Sequence, residues 1–145
     1  MIIVDANILL YAYNADAPEH AASAAWLERA LMGSETIGLP LPVIWAFLRI
    51  ATNARLWPEP LPSREAFRIV KELLALPGVI LVQAGARHLE ILEELVTKCK
   101  ATGPLMTDAS LAALAEENGA TLASTDRDFS RFDGLRWVDP MRLES

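Results

Sequence analysis

Four aspartates stand at positions where a parallel sheet would gather ligands. Asp5 directly follows the apolar run Ile2–Val4. Asp126 and Asp128 follow the strand-like segment TLAS, and Asp108 begins the helical segment that leads into it. Ligands of open parallel sheets bind beyond the carboxyl ends of the strands, and a helix that runs back between strands begins at the same edge. The sequence therefore predicts that these carboxylates converge.

Crowded carboxylates repel one another unless a cation lies among them, so this cluster predicts a bound divalent ion, Mg²⁺ or Mn²⁺. Such an ion can activate a water and stabilise negative charge on a phosphate, which is the chemistry of phosphodiester hydrolysis. Each acid also has a purely structural explanation. Asp5 can cap a helix, Asp108 can be a first-turn acid, and the other two can be turn residues.

Other chemistries have little support in the sequence. His20, His88 and the single cysteine, Cys99, do not have zinc-ligand spacing. The chain contains no G-x-G-x-x-G, Walker A or G-x-S-x-G motif. An aspartyl-phosphate mechanism like that of haloacid-dehalogenase-like phosphatases needs an aspartate two positions after the first one, where this chain has Asn7.

Length and composition predict a single domain over residues 1–145, because a chain with 52% hydrophobic residues can bury a sizeable core. No apolar stretch reaches the ~20 residues of a membrane span, and the lone cysteine fits a reducing compartment. We therefore expect a cytoplasmic protein without membrane association. The net charge of −6 argues against nucleic-acid binding through overall basicity but allows an enzyme that meets phosphates through metal ions.

Short strand-like runs alternate with longer helical segments. This alternation predicts an α/β fold with a mainly parallel sheet of four to five strands, covered by helices on both faces. The predicted strands are residues 2–4, 36–39, 79–82, 121–123 and 136–138. The predicted helices are residues 21–32, 63–76 with Ser63 as N-cap, about 87–101, and a segment capped by Thr107 and ended by Asn118-Gly119.

Three acidic motifs resemble those of the PIN-domain toxins of the VapC type, which are bacterial ribonucleases of toxin–antitoxin pairs. The resemblance rests on IIVDANILLYAY, TDASLAALAEENGATLASTDRDFSRF and LRWVDP, and it extends to AFLRIATNARLW. It implies a three-layer α/β/α sandwich and a Mg²⁺- or Mn²⁺-dependent endoribonuclease whose substrate is RNA, for which a structured RNA such as tRNA or rRNA is plausible. It also implies a VapB-like antitoxin as partner and frequently a homodimer.

The resemblance assigns roles to residues at matching positions. Three aspartates match the catalytic, metal-binding positions of the family: Asp5, Asp108 and Asp126. Asp128 is a supporting metal ligand at most. Asn7 and Thr125 match polar pocket positions, from which they would orient a carboxylate or a water.

One position departs from the family pattern. PIN domains usually carry a glutamate on the helix after the second strand, whereas residues 39–55 contain no acid and Ala46 stands near the expected place. Alanine cannot bind a metal ion. The consequence is a weaker or single-ion site, a substitute ligand such as Asp128 or a water, or loss of catalysis. The last case defines the alternative function, a degenerate, non-catalytic PIN module that binds RNA or antitoxin.

The same helix carries polar residues with helical spacing. Arg49 and Asn53 lie three and seven positions after Ala46, so they are predicted to share a face and to point into the pocket. Arg49 would then hold a scissile phosphate or pair with a site carboxylate. Trp57, beside the proline-rich segment that ends at Pro62, is the predicted contact for a partner protein.

Overall fold

The structure, a computed structural model, describes residues 1–142. Its strands are β1 (Ile2–Val4), β2 (Ile37–Pro40), β3 (Val79–Val82), β4 (Thr121–Ala123) and β5 (Trp137–Val138). They form one parallel sheet in the order β3-β2-β1-β4-β5. The central strand is β1, where Ile3 pairs with Gly38 on one side and Leu122 on the other. The chain order reverses between β1 and β4, so the carboxyl ends of these two strands form a crevice.

The helices fall into two groups that pack separately. They are α1 (Ala6–Ala12), α2 (His20–Met32), α3 (Leu41–Ala51), α4 (Ser63–Ala75), α5 (His88–Cys99) and α6 (Leu105–Glu117). Contacts join α1 to α2 and α3, and α3 to α4, whereas α5 packs on α6. Right-handed crossovers place the connections from β1 to β3 on one face of the sheet and the return to β4 on the other. The predicted α/β/α fold class is confirmed.

Close packing of the central strands fixes the edge that carries the site. Ile3, Val4 and Leu122 are fully buried. A side chain at Gly38 would bring its Cβ to 2.6 Å from Val82 Cγ2 and 3.2 Å from Ile3 Cγ1, so glycine leaves room for these side chains to pack on the face of the sheet. The backbone N–H of Asp5 donates to the carbonyl of Ala123 at 2.9 Å, which ties the ends of β1 and β4 together.

The predicted strands are confirmed to within one residue at each end, but two helix starts were wrong. Ser63 was predicted to cap α4, yet Pro62 occupies the cap position and no side chain makes a capping hydrogen bond. Thr107 was predicted to cap the helix that carries Asp108, yet α6 already begins at Leu105. In both cases a proline precedes the helix, and its fixed φ angle suits a helix start without a side-chain cap.

The prediction for Trp57 was also wrong. Its indole is buried in the hydrophobic core with only 7% of the residue exposed, so it supports the fold rather than an outer contact surface. Trp45 on α3 is 60% exposed and meets solvent. Within residues 1–142, no helix has both the length and the apolar composition needed to cross a membrane.

Candidate active site

Asp5 leaves the carboxyl end of β1 and caps the start of α1. Its Oδ1 accepts a hydrogen bond from the backbone N–H of Ala6 at 2.7 Å. Its Oδ2 accepts from the hydroxyl of Ser124 at 2.7 Å and from the side-chain amide of Asn7 at 3.2 Å. Burial raises the pKa of the Asp5 carboxyl, the three hydrogen bonds lower it, and the charge of Asp126 raises it again. Asp5 is therefore both a helix cap and an oriented carboxylate.

Ser124 is the first residue after β4, is fully buried and joins the two strand ends. Its hydroxyl donates to Asp5 and accepts from the amide of Asn7 and from the backbone N–H of Asp126, both at 3.1 Å. Asn7 completes the network because its Oδ1 accepts the backbone N–H of Thr125 at 3.2 Å. This network fixes Asp5 relative to the segment that carries Asp126.

Three carboxylates form a compact group at this edge of the sheet. Asp108, Asp126 and Asp128 each offer an oxygen atom, and these atoms lie within 4.8 Å of one another. Asp108 lies in the first turn of α6, while Asp126 accepts the backbone N–H of Asp128 at 2.9 Å where a short 3₁₀ helix begins. Partial burial raises the pKa of Asp108 to about 6, with added repulsion from Asp126, Asp5 and Asp128. These three carboxylates form the acidic cluster, and Asp5 lies beside it, close enough for its charge to act on Asp108.

The donor set of this cluster suits a hard divalent cation. Asp108, Asp126 and Asp128 offer oxygen ligands only, the type that Mg²⁺ and Mn²⁺ prefer. A cation between these carboxylates would also remove the repulsion that contributes to the raised pKa of Asp108. The arrangement of side chains fits a divalent metal ion.

A cavity of about 440 Å³ opens beside the acidic cluster, between α3, α5 and α6. Asp5 and Asp108 line one part of it, and Ala46 forms part of the wall contributed by α3. A glutamate in place of Ala46 would reach into the space that these two acids share. Position 46, where PIN domains usually carry a glutamate, therefore lies in the wall of this cavity.

Arg49 and Asn53 are not among the residues that line this cavity. Arg49 is exposed, and within residues 1–142 no ion pair joins it to a carboxylate. Asn53 lies beyond the end of α3 at Ala51, and its Oδ1 accepts the backbone N–H of Arg55 at 2.9 Å. The two residues were predicted to share a helical face, but the helix ends before Asn53.

Ser124 is the site residue that the acidic pattern did not indicate. Serine is common after strands and carries no charge, so its residue type alone points to no chemistry. The available signal was its position, directly between the end of β4 and Asp126 at the reversal of strand order. Thr125 contributes its backbone N–H to the network, which residue type could not predict either.

Replacing Asp108 with asparagine is expected to raise the melting temperature of the metal-free protein by a few degrees at pH 7.5. The folded-state pKa of Asp108, about 6, lies above the ordinary value of 3.8, so its ionisation costs stability as the pH rises between these values. The benefit of Asp108→Asn should therefore shrink as the pH falls from 6 to 4. Thermal unfolding in EDTA across this range measures it.

The matched control is Asp133→Asn, because Asp133 is exposed and lies outside the acidic group. Its melting temperature should follow that of the wild type at every pH. A destabilised Asp108→Asn protein at pH 7.5 would show that the carboxylate is held by favourable contacts rather than opposed by its neighbours.

Comparisons with known proteins identify the family of the chain. Residues 2–135 match the family model of the PIN domain. Ribonuclease VapC37 of Mycobacterium tuberculosis is 43% identical over 143 residues, which cover 99% of each chain. Ribonuclease VapC33 of the same species is 44% identical over 142 residues, covering 98% of this chain and 99% of the relative. A chain in the structure of VapBC-1 from nontypeable Haemophilus influenzae shares the fold, with a TM-score of 0.72 at 16% identity over 98% of this chain and 100% of that one. The chain thus belongs to the PIN domain family, in its VapC group.

Proposed function

We propose that this chain, as one domain over residues 1–145, is a metal-dependent endoribonuclease that acts as the toxin of a toxin–antitoxin pair. The observation that carries the proposal is the convergence of Asp108, Asp126 and Asp128 beside the partly buried carboxylate of Asp5. The relatives that the chain matches over nearly its whole length are named ribonucleases, which supports the same activity here. They do not favour the non-catalytic alternative.

Asp5, Asp108 and Asp126 are the proposed catalytic metal ligands, with Asp128 as a supporting ligand. Mg²⁺ or Mn²⁺ is the proposed cofactor, and when bound it supplies Lewis-acid activation of the phosphodiester and of the attacking water. Among the acids, Asp108 must lose its proton to bind a cation, and its pKa of about 6 permits this at neutral pH.

The chain's own residues hold this site in place before any substrate arrives. Ser124 and Asn7 donate to Asp5 and so fix which of its lone pairs face the cluster. Thr125 anchors Asn7 through its backbone. Such supporting hydrogen bonds set the orientation and basicity of metal ligands. We propose that these three residues position the ligands without touching the reacting atoms.

Arg49 lies outside the cavity but remains the proposed contact for an RNA phosphate. It is exposed on α3, and within the described residues its guanidinium group forms no ion pair. Asn53 is reassigned to the turn after α3, since its side chain bonds to the backbone of Arg55. Ala46 supplies no ligand, so all proposed metal ligands are aspartates.

The proposed partners are an RNA substrate, a VapB-like antitoxin and a second copy of the chain. Large apolar side chains on the surface provide area for protein contacts, and the most exposed are Met32, Leu89 and Trp45. With a net charge of −6 the protein has no excess of basic residues to bind long RNA nonspecifically. This charge favours cleavage of a structured target such as tRNA or rRNA over nonspecific degradation. We place these encounters in the cytoplasm.

The test is cleavage of total cellular RNA by partner-free protein in EDTA, Mg²⁺ or Mn²⁺. We expect discrete fragments with either metal and none in EDTA, with Asp126→Asn inactive in all three conditions. Circular dichroism would establish that both proteins are folded. Folded wild type that leaves RNA intact with both metals would support the non-catalytic module, and cleavage that persists in EDTA would exclude the metal site.

A further inference from the structure

The cavity beside the acidic cluster is mainly apolar, although it opens at charged groups. Its volume is about 440 Å³, and most of its wall consists of aliphatic side chains from three helices, among them Val43, Leu92, Leu111 and Leu114. Hydrated phosphates and charged groups lose solvation in such surroundings, whereas a flat neutral group gains from burial. The walls therefore select a neutral ligand of moderate size.

Ala46 determines how much of this space is free. A glutamate there would extend into the cavity toward Asp5 and Asp108 and make its wall acidic, whereas the methyl group of alanine leaves the wall apolar. The feature that removes a possible metal ligand thus enlarges a binding space directly beside the remaining ones. A ligand seated there would be adjacent to any phosphodiester held at the acidic cluster.

We propose that this cavity binds one unpaired nucleobase of the RNA, next to the phosphodiester that is cut. This inference rests on the proposed function, because it places the phosphate at the acidic cluster. A nucleobase is neutral, flat and bonded through its ribose to that phosphate, so it is the part of RNA that matches both the apolar wall and the location. Recognition of splayed-out bases is also the general route to sequence-specific RNA binding.

Ser110 gives the wall a polar group that can distinguish bases. It lines the cavity on α6, and within residues 1–142 its hydroxyl has one hydrogen-bond partner, Nε2 of His88 at 3.3 Å. His88 is only 9% exposed at the start of α5, so it holds the hydroxyl in a fixed place. A hydroxyl can donate once and accept twice, which leaves capacity for one edge of a base.

The experiment compares ligands with and without a base. The four nucleoside 5′-monophosphates and ribose 5-phosphate are titrated into the protein with Mg²⁺ by isothermal titration calorimetry. At least one nucleotide should bind about tenfold or more tightly than ribose 5-phosphate, the gain expected from burying a base. Ala46→Leu should remove that preference. Ser110→Ala should weaken the binding of the preferred nucleotide more than the binding of the other three.

Ala25→Leu is the matched control, because it makes the same change at an exposed position of α2. It should retain the wild-type preference. Equal binding of all five ligands, or a preference unchanged in Ala46→Leu, would overturn the inference and leave the cavity to an apolar side chain of a protein partner. Base-dependent binding without RNA cleavage would support the base pocket and contradict the proposed nuclease function. Cleavage with base-independent binding would support the nuclease function and contradict the base pocket.

Discussion

Asp5→Asn is expected to reduce RNA cleavage by roughly 10²–10³-fold or more. The change keeps the size of the side chain but removes its negative charge and one carboxylate oxygen. That oxygen, Oδ2, is the one held by Ser124 and Asn7 at the edge of the acidic cluster. Initial cleavage rates with Mg²⁺, measured beside the wild type, give the loss directly.

The fold should survive this substitution. The asparagine oxygen can still accept from the backbone N–H of Ala6, whereas the hydroxyl of Ser124, which already accepts two hydrogen bonds, loses Asp5 as its acceptor. The amide of Asn7 would lose one of its two acceptors and keep Ser124, so the two lost hydrogen bonds cost about 1–3 kcal/mol. Burial raises the pKa of Asp5, which means that its negative charge costs stability. Removing this charge offsets part of the loss. Thermal unfolding should therefore show a shift of only a few degrees.

Asp16→Asn is the matched control, since Asp16 is exposed between α1 and α2. It should cleave RNA at the wild-type rate. If Asp5→Asn also retained that rate, Asp5 would be no more than the cap of α1, and the catalytic role would have to lie with the remaining acids.

The site acids were predictable because they depend on local patterns and one general rule. The run Ile2–Val4 followed by Asp5 indicates a buried strand that ends in a carboxylate, and the segment before Asp126 repeats that pattern. The rule that parallel strands present ligands at their carboxyl ends then brings distant segments together. Neither step needs a side-chain contact. The acidic cluster and the order of elements could therefore be predicted from sequence.

The errors occurred where the outcome depends on exact geometry. Asn53 has the right spacing for the face of Ala46, but α3 ends at Ala51 and the spacing no longer applies. Trp57 stands directly before a segment rich in proline, yet its side chain turns inward because the core accepts a large apolar group there. Burial of that kind is set by packing between distant elements, which local sequence does not encode.

The network around Ser124 was hidden for the same reason. Ser124 and Asp5 are 119 positions apart, and their hydrogen bond exists because Val4 pairs with Ala123 in the register of β1 and β4. A shift of one residue would turn the serine to the other face of the sheet. Register between parallel strands is a property of the folded sheet. The role of a buried, uncharged serine such as Ser124 is therefore not predictable from the sequence.

Ser124→Ala is accordingly expected to lower the free energy of unfolding by about 1–3 kcal/mol and cleavage activity by about 10–100-fold. The alanine leaves Oδ2 of Asp5 without its shortest hydrogen bond and the backbone N–H of Asp126 without its acceptor. Asp5 is then held only by Ala6 and Asn7, so its orientation toward the cluster is less restricted. Urea denaturation measures the first effect, and the Mg²⁺ dependence of cleavage measures the second, which should shift to higher metal concentration.

Ser23→Ala is the control that separates the effect of the hydrogen-bond network from the effect of burying a serine. Ser23 is as fully buried as Ser124, but within residues 1–142 its hydroxyl has no hydrogen-bond partner. Removing an unpaired buried hydroxyl relieves a desolvation cost, so Ser23→Ala should leave the free energy of unfolding unchanged or increase it, with normal cleavage. If the two alanine variants behaved alike, the hydrogen bonds of Ser124 would contribute nothing beyond packing. A loss confined to Ser124→Ala would mean that the link between β1 and β4 holds the acidic cluster in its working arrangement.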